Sequence, residues 1–430
     1  MKKILSGFLC ISLSSIFTNT ALAQGELTAS IAKPMVVSTD EKIITAGETK
    51  AAAEEEKPED KGKFTYSGYF DTYYFANLNS PSSRNNLGAS GVSRGFDRYA
   101  GQFQLGMFLN RMSYAYKNTE VVAEIGFGPN VEYGSYGSDF RYKWGTVIAN
   151  NTYSALMIKQ AYINYKPTEK LTLTMGQFGT HIGYEMIDAP LNFHYSINNT
   201  FNAGIPFYHM GLKASYAFSD KVTLMGGVVN GTDNVNDNNR GKSFIGQLMV
   251  TPAKGLTVYL NTIQGNEGNA RANGKDTTSY FGVLDLVATY QATDRLLLAI
   301  WAMHGSASGE FQGGTYFTET KNWSGANLYV SYKFTDIFSL GTRIEYFDNK
   351  SGARGLLTNG KGTDVSTYTL TGSFALADGK LTLKPEFRLD NFQKMTGPLG
   401  ENEPQQFQDS DGNFSKNTQS TLGMAVIYKF

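Results

Sequence analysis

From Phe64 to the C-terminus, apolar and polar residues alternate along the chain with a period of two. That period places alternate side chains on opposite faces of a β-strand. The last residues show it most cleanly: Leu422, Met424, Val426, Tyr428 and Phe430 share one face, and Thr421, Gly423, Ala425, Ile427 and Lys429 the other. The same reading predicts strands at about 64–77, 99–117, 120–129, 156–166, 170–178, 209–218, 221–230 and 243–251. A further eight follow at about 256–265, 280–291, 295–304, 322–334, 337–348, 364–376, 380–391 and 419–430. The total is about sixteen, with fourteen or eighteen as alternatives if a loop hides a hairpin or a weak strand loses one.

The connections alternate in length. Short polar turns follow an aromatic or Leu, as in Tyr165-Lys166-Pro167-Thr168-Glu169-Lys170, Phe218-Ser219-Asp220-Lys221 and Leu376-Ala377-Asp378-Gly379-Lys380. Asp, Thr, Pro and Gly supply the local turn chemistry. Between the hairpins lie much longer loops, at about 79–98, 131–155, 179–208, 231–242, 266–279, 305–321, 349–363 and 392–417. Short turns at one end and long loops at the other define a transmembrane antiparallel up-and-down β-barrel, its short turns periplasmic and its long loops extracellular.

Composition fits that class. The chain has 430 residues with 46 Gly, 26 Tyr and 28 Phe, but its mean hydropathy is −0.30. No run of about 18 apolar residues occurs outside the N-terminus, which excludes helical spans. Thirty-eight Lys and Arg balance 38 Asp and Glu, an argument against nucleic acid as a partner.

The N-terminus reads as a leader. Lys2 and Lys3 precede an apolar stretch, Ile4 to Phe17, and Ala21-Leu22-Ala23 is an A-x-A cleavage site, so 1–23 is expected to be removed. Cys10, the only cysteine, lies within it, which leaves a mature chain without disulfides. Residues 24–62, acidic around Glu54-Glu55-Glu56, read as a disordered periplasmic tether, and the barrel spans 63–430. The terminal strand resembles the C-terminal assembly signal of bacterial outer-membrane barrels. Tyr428 and Phe430 are its candidate residues, addressed to the barrel-assembly machinery and seated in outer-membrane lipid.

Alternation also assigns the lumen. With apolar neighbours facing lipid, Glu124, Lys213, Asp285, Lys333, Arg343, Glu345, Lys384, Glu386, Arg388 and Asp390 point inward. A charge on the lipid face costs about 2–4 kcal/mol at the midplane, so these residues require water or paired ions inside. In the second strand the apolar face switches from Phe103, Leu105, Met107 and Leu109 to Met112, Tyr114 and Tyr116. The slip suggests a bulge near Asn110-Arg111 that turns Arg111 inward. The inward charges either fill the lumen as pairs or set the field felt by a permeating solute. A sixteen-stranded closure is too wide for side chains alone to fill.

Loop 179–208 is the longest connection and is rich in aromatics. It carries His181, Tyr184, Glu185 and Asp188, the candidate constriction residues. Folded inward, it would hide Phe193, Phe201 and Phe207 and hold Glu185 and Asp188 toward the passage. Its histidines match no metal-ligand spacing, and no metal or cofactor is expected.

Gln160-Ala161-Tyr162-Ile163, Gly176-Gln177-Phe178 and Gly183-Tyr184-Glu185 resemble the corresponding region of the OmpL-like β-barrel porin-2 family. So do the first strand, Tyr66-Ser67-Gly68-Tyr69-Phe70-Asp71, and the terminal Phe430. The resemblance implies passive diffusion of small hydrophilic solutes and ions, and it supplies no site residues. The alternatives are a substrate-selective sugar or oligomer channel, with Tyr69, Tyr73, Tyr162, Tyr259 and Trp301 as a sliding track, and a non-conducting anchor or adhesion barrel. An enzyme would need a Ser/His/Asp set on the outer rim, and His304 has no such company. Monomer and homotrimer both remain open.

Overall fold

The computed structural model describes residues 61–134, 157–268, 279–311, 315–398 and 400–430. The leader and nearly all of the acidic tether lie outside these residues, as does most of the loop read at 131–155.

The strands are β1 (Lys63–Asn77), β2 (Phe103–Tyr116), β3 (Thr119–Phe127), β4 (Met157–Tyr165), β5 (Leu171–Gly179) and β6 (Tyr208–Ser219). Next come β7 (Val222–Val229), β8 (Ser243–Ala253), β9 (Leu256–Gly265), β10 (Ser279–Gln291), β11 (Leu296–Phe311) and β12 (Thr315–Lys333). The last are β13 (Phe338–Asn349), the two-residue β14 (Leu357–Thr358), β15 (Lys361–Leu376), β16 (Leu381–Phe392) and β17 (Thr418–Lys429). β14 pairs only with the start of β15, inside the loop that follows β13. The other sixteen form one antiparallel sheet in chain order that closes when β17 pairs with β1. Closure leaves no open edge, as a strand in lipid requires.

At the seam, Phe70 lies opposite Tyr428 and Thr72 opposite Val426. Gly68 and Phe430 exchange both backbone hydrogen bonds at 3.1 Å. A side chain at Gly68 would collide with the Leu109 carbonyl and the Phe430 ring, so glycine is what lets the terminal residue seat there.

The assigned faces hold on most strands. Leu284, Leu286 and Tyr290, and likewise Leu422, Met424 and Tyr428, are exposed on the outer face. Their neighbours Asp285, Ala425 and Ile427 are buried inside. β2 departs from the expectation. Its register slips between the pairs Asp71–Met107 and Thr72–Leu105, which makes Gly106 the extra residue. The bulge therefore lies four residues earlier than Asn110-Arg111, and Met107 and Leu109 face the lumen instead of lipid. Asp71 explains the position: its buried carboxylate accepts from the Met107 amide, and a Cβ at residue 106 would strike that carboxylate. Only glycine fits.

Residues 305–321, expected to be a loop, are mostly strand. β11 and β12 run on as a hairpin through Gly309–Phe317 to Phe311–Thr315. At 16 and 19 residues they exceed the about 9–11 needed to cross a bilayer, so the hairpin extends past the membrane on the outer side.

Candidate functional site

Loop 179–208 lies inside the barrel. It holds the 3-10 turn Ala189–Leu191 and the one-and-a-half-turn helix Asn199–Gly204. Asn198 caps the helix by accepting from the Phe201 amide at 2.7 Å. Such a segment carries many backbone polar groups into a closely packed interior, and each buried one needs a partner.

The partners come largely from the inward charges of the wall. Glu386 accepts from the Tyr195 and Ser196 amides at 2.8 and 3.1 Å. Glu345 takes the Thr200 amide at 2.6 Å, and Asp285 takes that of Gly183 at 3.2 Å. Lys384 donates to the Ala189 carbonyl at 2.9 Å, Arg343 to that of Ser196 at 2.8 Å and Arg388 to that of Ile197 at 2.7 Å. Asp390 anchors Arg388 and also Arg94, which reaches in from the first outer loop. These charged side chains form a template for the loop's backbone.

A second wall is apolar. Ile263, Phe281, Val283, Trp301, Met303, Trp323 and Phe347, on β9 to β13, are fully or nearly fully buried in one cluster with Ile182, Phe201, Ile205 and Phe207 of the loop. Phe201 and Phe207 stack at 5.1 Å, and Trp323 donates to the Gly204 carbonyl at 2.8 Å. Burying each such aromatic contributes about 1.5–3 kcal/mol. Gly183 turns at a φ of 96°, with Ile205 and Trp301 against the site a Cβ would take. The loop is thus amphipathic in the lumen, with apolar side chains toward β9–β13 and polar backbone toward β13–β16.

The expected loop residues are placed differently from their reading. Phe201 and Phe207 are hidden, while Phe193 is only half-buried. Glu185 and Asp188 do not face an open passage: they are buried against Arg343 at 2.6 Å and Lys159 at 2.6 Å. Tyr184 packs on Tyr329 at 4.5 Å, and His181 contacts the Thr262 carbonyl at 3.0 Å. Burial pushes the Glu185 carboxyl up while Arg343 pulls it down; burial drives His181 down to about 3 and His194 well below its usual value. Both imidazoles are therefore neutral near pH 7.

The wall residues sort by position. Arg343, Glu345, Lys384, Glu386, Arg388, Asp390 and Asp285 all meet the loop or its anchors. Lys213 sits over the Phe178 ring at 4.2 Å, and Lys333 bonds Asp336 at the periplasmic end. Arg111 and Glu124 pair at 2.5 Å. Of the five aromatics read as a sliding track, Tyr69, Tyr73, Tyr259 and Trp301 face inward but are buried, with Tyr73 against Tyr195 at 5.5 Å, and Tyr162, beside Arg111, is half-buried. Three functional positions escaped the sequence reading: Arg94, Lys159 and Asp233. Lys159 is the extra residue of a bulge in β4, between the pairs Glu124–Gln160 and Ile125–Ile158, and strict alternation places it on lipid.

Asp233, in the loop after β7, latches the exit of loop 179–208 by accepting from the Phe207 and Tyr208 amides at 2.6 and 3.1 Å. Burial raises its carboxyl to about 6, against the opposing pull of those amides and Arg354. Because the folded-state value is raised, the folded chain takes up this proton more readily than the unfolded one. Asp233 thus adds stability as pH falls from 7 toward 4. Asp233→Asn should flatten that pH dependence of the barrel's unfolding midpoint; an unchanged slope would exclude Asp233 as its source.

A closed barrel of this size, with one loop bound in its lumen and an apolar band outside, is an outer-membrane channel fold. The chain belongs to the family described as "Putative beta-barrel porin-2, OmpL-like", whose model matches residues 63–430. It is an outer-membrane porin. Among solved structures it is similar to a loop-deletion mutant of the outer membrane protein OmpT of Vibrio cholerae, at 11% identity and a TM-score of 0.55 over 86% of this chain and 100% of that one. It is also similar to the outer membrane channel DcaP of Acinetobacter baumannii, with 11% identity, a TM-score of 0.54 and coverage of 87% and 99%. An anion-selective porin from Comamonas acidovorans matches at 10% identity and a TM-score of 0.52, over 86% and 100%. No curated protein matches the chain.

Proposed function

We propose that this porin passes small hydrophilic solutes and ions by diffusion through a bore narrowed by loop 179–208. One observation carries the reading: the loop is held across the lumen by wall charges, so the free cross-section is much smaller than a sixteen-stranded barrel would leave empty. The inward charges act first as loop anchors and only secondarily as a field on permeating ions. An adhesion barrel would have no need of so complete an internal template. The sugar-track reading is less favoured because four of its five aromatics, all but Tyr162, are buried. Catalysis plays no part in this reading. Neither does a metal or cofactor. In the same reading 1–23 is cleaved near Ala23, 24–62 is a periplasmic tether, and Phe430 addresses the chain to the barrel-assembly machinery. A homotrimer is tested by chemical cross-linking in native membranes.

Purified protein in planar bilayers is expected to show small, ohmic single-channel steps. Proteoliposomes should swell in small sugars and not in larger ones. Folded, heat-modifiable protein that gives neither steps nor swelling would overturn the proposal.

A further inference from the structure

Charge is unevenly spread around the periplasmic rim. Lys61 and Lys63 lie there, at the start of β1. On one side of them are Lys117 in the β2–β3 turn and Lys166 and Lys170 in the β4–β5 turn. On the other are Lys380 in the β15–β16 turn and Lys429 at the end of β17. These pieces adjoin: the Lys166 amide donates to the Asn118 carbonyl at 2.8 Å, and the Lys429 amide to that of Lys380 at 2.8 Å. Lys63, Lys117, Lys170 and Lys380 are exposed. The seven lysines share this sector with Glu120, Glu169, Asp378 and the terminal carboxylate, which leaves an excess of three positive charges. The opposite sector, under β6–β13, is nearly balanced. Lys221, Lys254, Arg295 and Lys333 stand there with Asp220, Asp294 and Asp336, and Lys333 and Asp336 pair at 2.7 Å.

Directly before Lys61 the sequence carries Glu54, Glu55, Glu56, Glu59 and Asp60 against a single Lys57. From this placement we propose that the acidic stretch 54–60 docks on the lysine sector of the rim and neutralises it. Reach selects the sector. Seven residues extend at most about 25 Å. Sixteen strands about 4.8 Å apart, tilted as in barrels, close a mouth roughly 30 Å across. The β15–β16, β2–β3 and β4–β5 turns all lie within a few strands of β1, whereas Lys254, in the β8–β9 turn, is half the ring away. Each exposed ion pair is weak on its own and is screened by salt. Covalent attachment at the start of β1 offsets that weakness, because it holds the acids near the rim at a local concentration on the order of millimolar. An anionic lipid headgroup would have to displace a partner already in place. The docking requires the closed barrel and its seam, and no conduction.

The test uses the full chain folded in a neutral detergent and a water-soluble carbodiimide, which joins a carboxylate to a lysine in contact with it. Peptide mapping by mass spectrometry at low salt should find amide links from residues 54–60 to Lys117, Lys166, Lys170, Lys380 or Lys429. Their yield should fall severalfold in molar salt, where the screening length is about 3 Å. Lys254 should stay unlinked. Spin labels at Ala53→Cys and Thr168→Cys, with Cys10→Ser removing the sole native cysteine, read the docking without carboxylate chemistry. Their narrow distance distribution should broaden when Glu54→Gln, Glu55→Gln and Glu56→Gln are combined. Links to Lys254 as frequent as those to Lys117, yields indifferent to salt, or distances unmoved by the triple variant would overturn the docking. So would links that form in phosphatidylcholine vesicles and vanish once phosphatidylglycerol is added, since the rim then belongs to anionic lipid.

Discussion

Trimming loop 179–208 between Tyr184 and Ile205 raises single-channel conductance severalfold and relaxes the solute size limit. The expectation follows from what the segment occupies. It fills the centre of a sixteen-stranded barrel that would otherwise leave an aqueous channel. Its removal strips the partners from Arg343, Glu345, Lys384, Glu386 and Arg388, but these charges then meet entering water and are not left dry and unpaired. The strand ladders do not depend on the loop, since each strand pairs with its neighbours through its own backbone. The trimmed protein should therefore keep its heat-modifiable mobility. A folded variant that conducts as before would place the constriction elsewhere.

Deleting Phe430, or replacing it with Asp, should sharply lower the amount of folded protein in the outer membrane. The residue does more than end the chain. Its backbone closes the β1–β17 seam with Gly68, and its ring lies 5.7 Å from Tyr66 and 6.0 Å from Phe108. Aspartate there would put a charge among interfacial aromatics at the place where the barrel must join. Fractionated membranes and heat-shifted gels read the result; normal levels of folded barrel in either variant would remove Phe430 from assembly.

Much of this architecture was legible from periodicity. A strand with one face in lipid has little freedom of register, so Leu284, Leu286 and Tyr290 against Asp285 suffice to fix which side is which. The turns were equally plain, because Asp, Pro, Thr and Gly mark them chemically. The β2 bulge was misplaced because its cause, the Asp71 carboxylate, lies on a neighbouring strand. Lys159 was missed for the same kind of reason, a one-residue insertion visible only in its pairing with β3. The loop's inward path was expected from its length and aromatics. Its partners were not, since Tyr195 and Glu386 are 191 residues apart in sequence.

That separation carries a consequence for biogenesis. Apart from Tyr69, Tyr73, Phe75, Ser93, Arg94, Phe96 and the β2–β4 group, the groups that hold loop 179–208 come from later in the sequence. Asp285, Asn327, Tyr329, Arg343, Glu345, Thr371, Lys384, Glu386 and Arg388 all follow it in the chain. Contacts of such long span form only once the intervening chain is ordered. The loop's receptor is therefore incomplete until β16 is in register, and its full docking is a late event. A nascent barrel passes through a stage in which it is wider inside than the finished one, and the bore is set last.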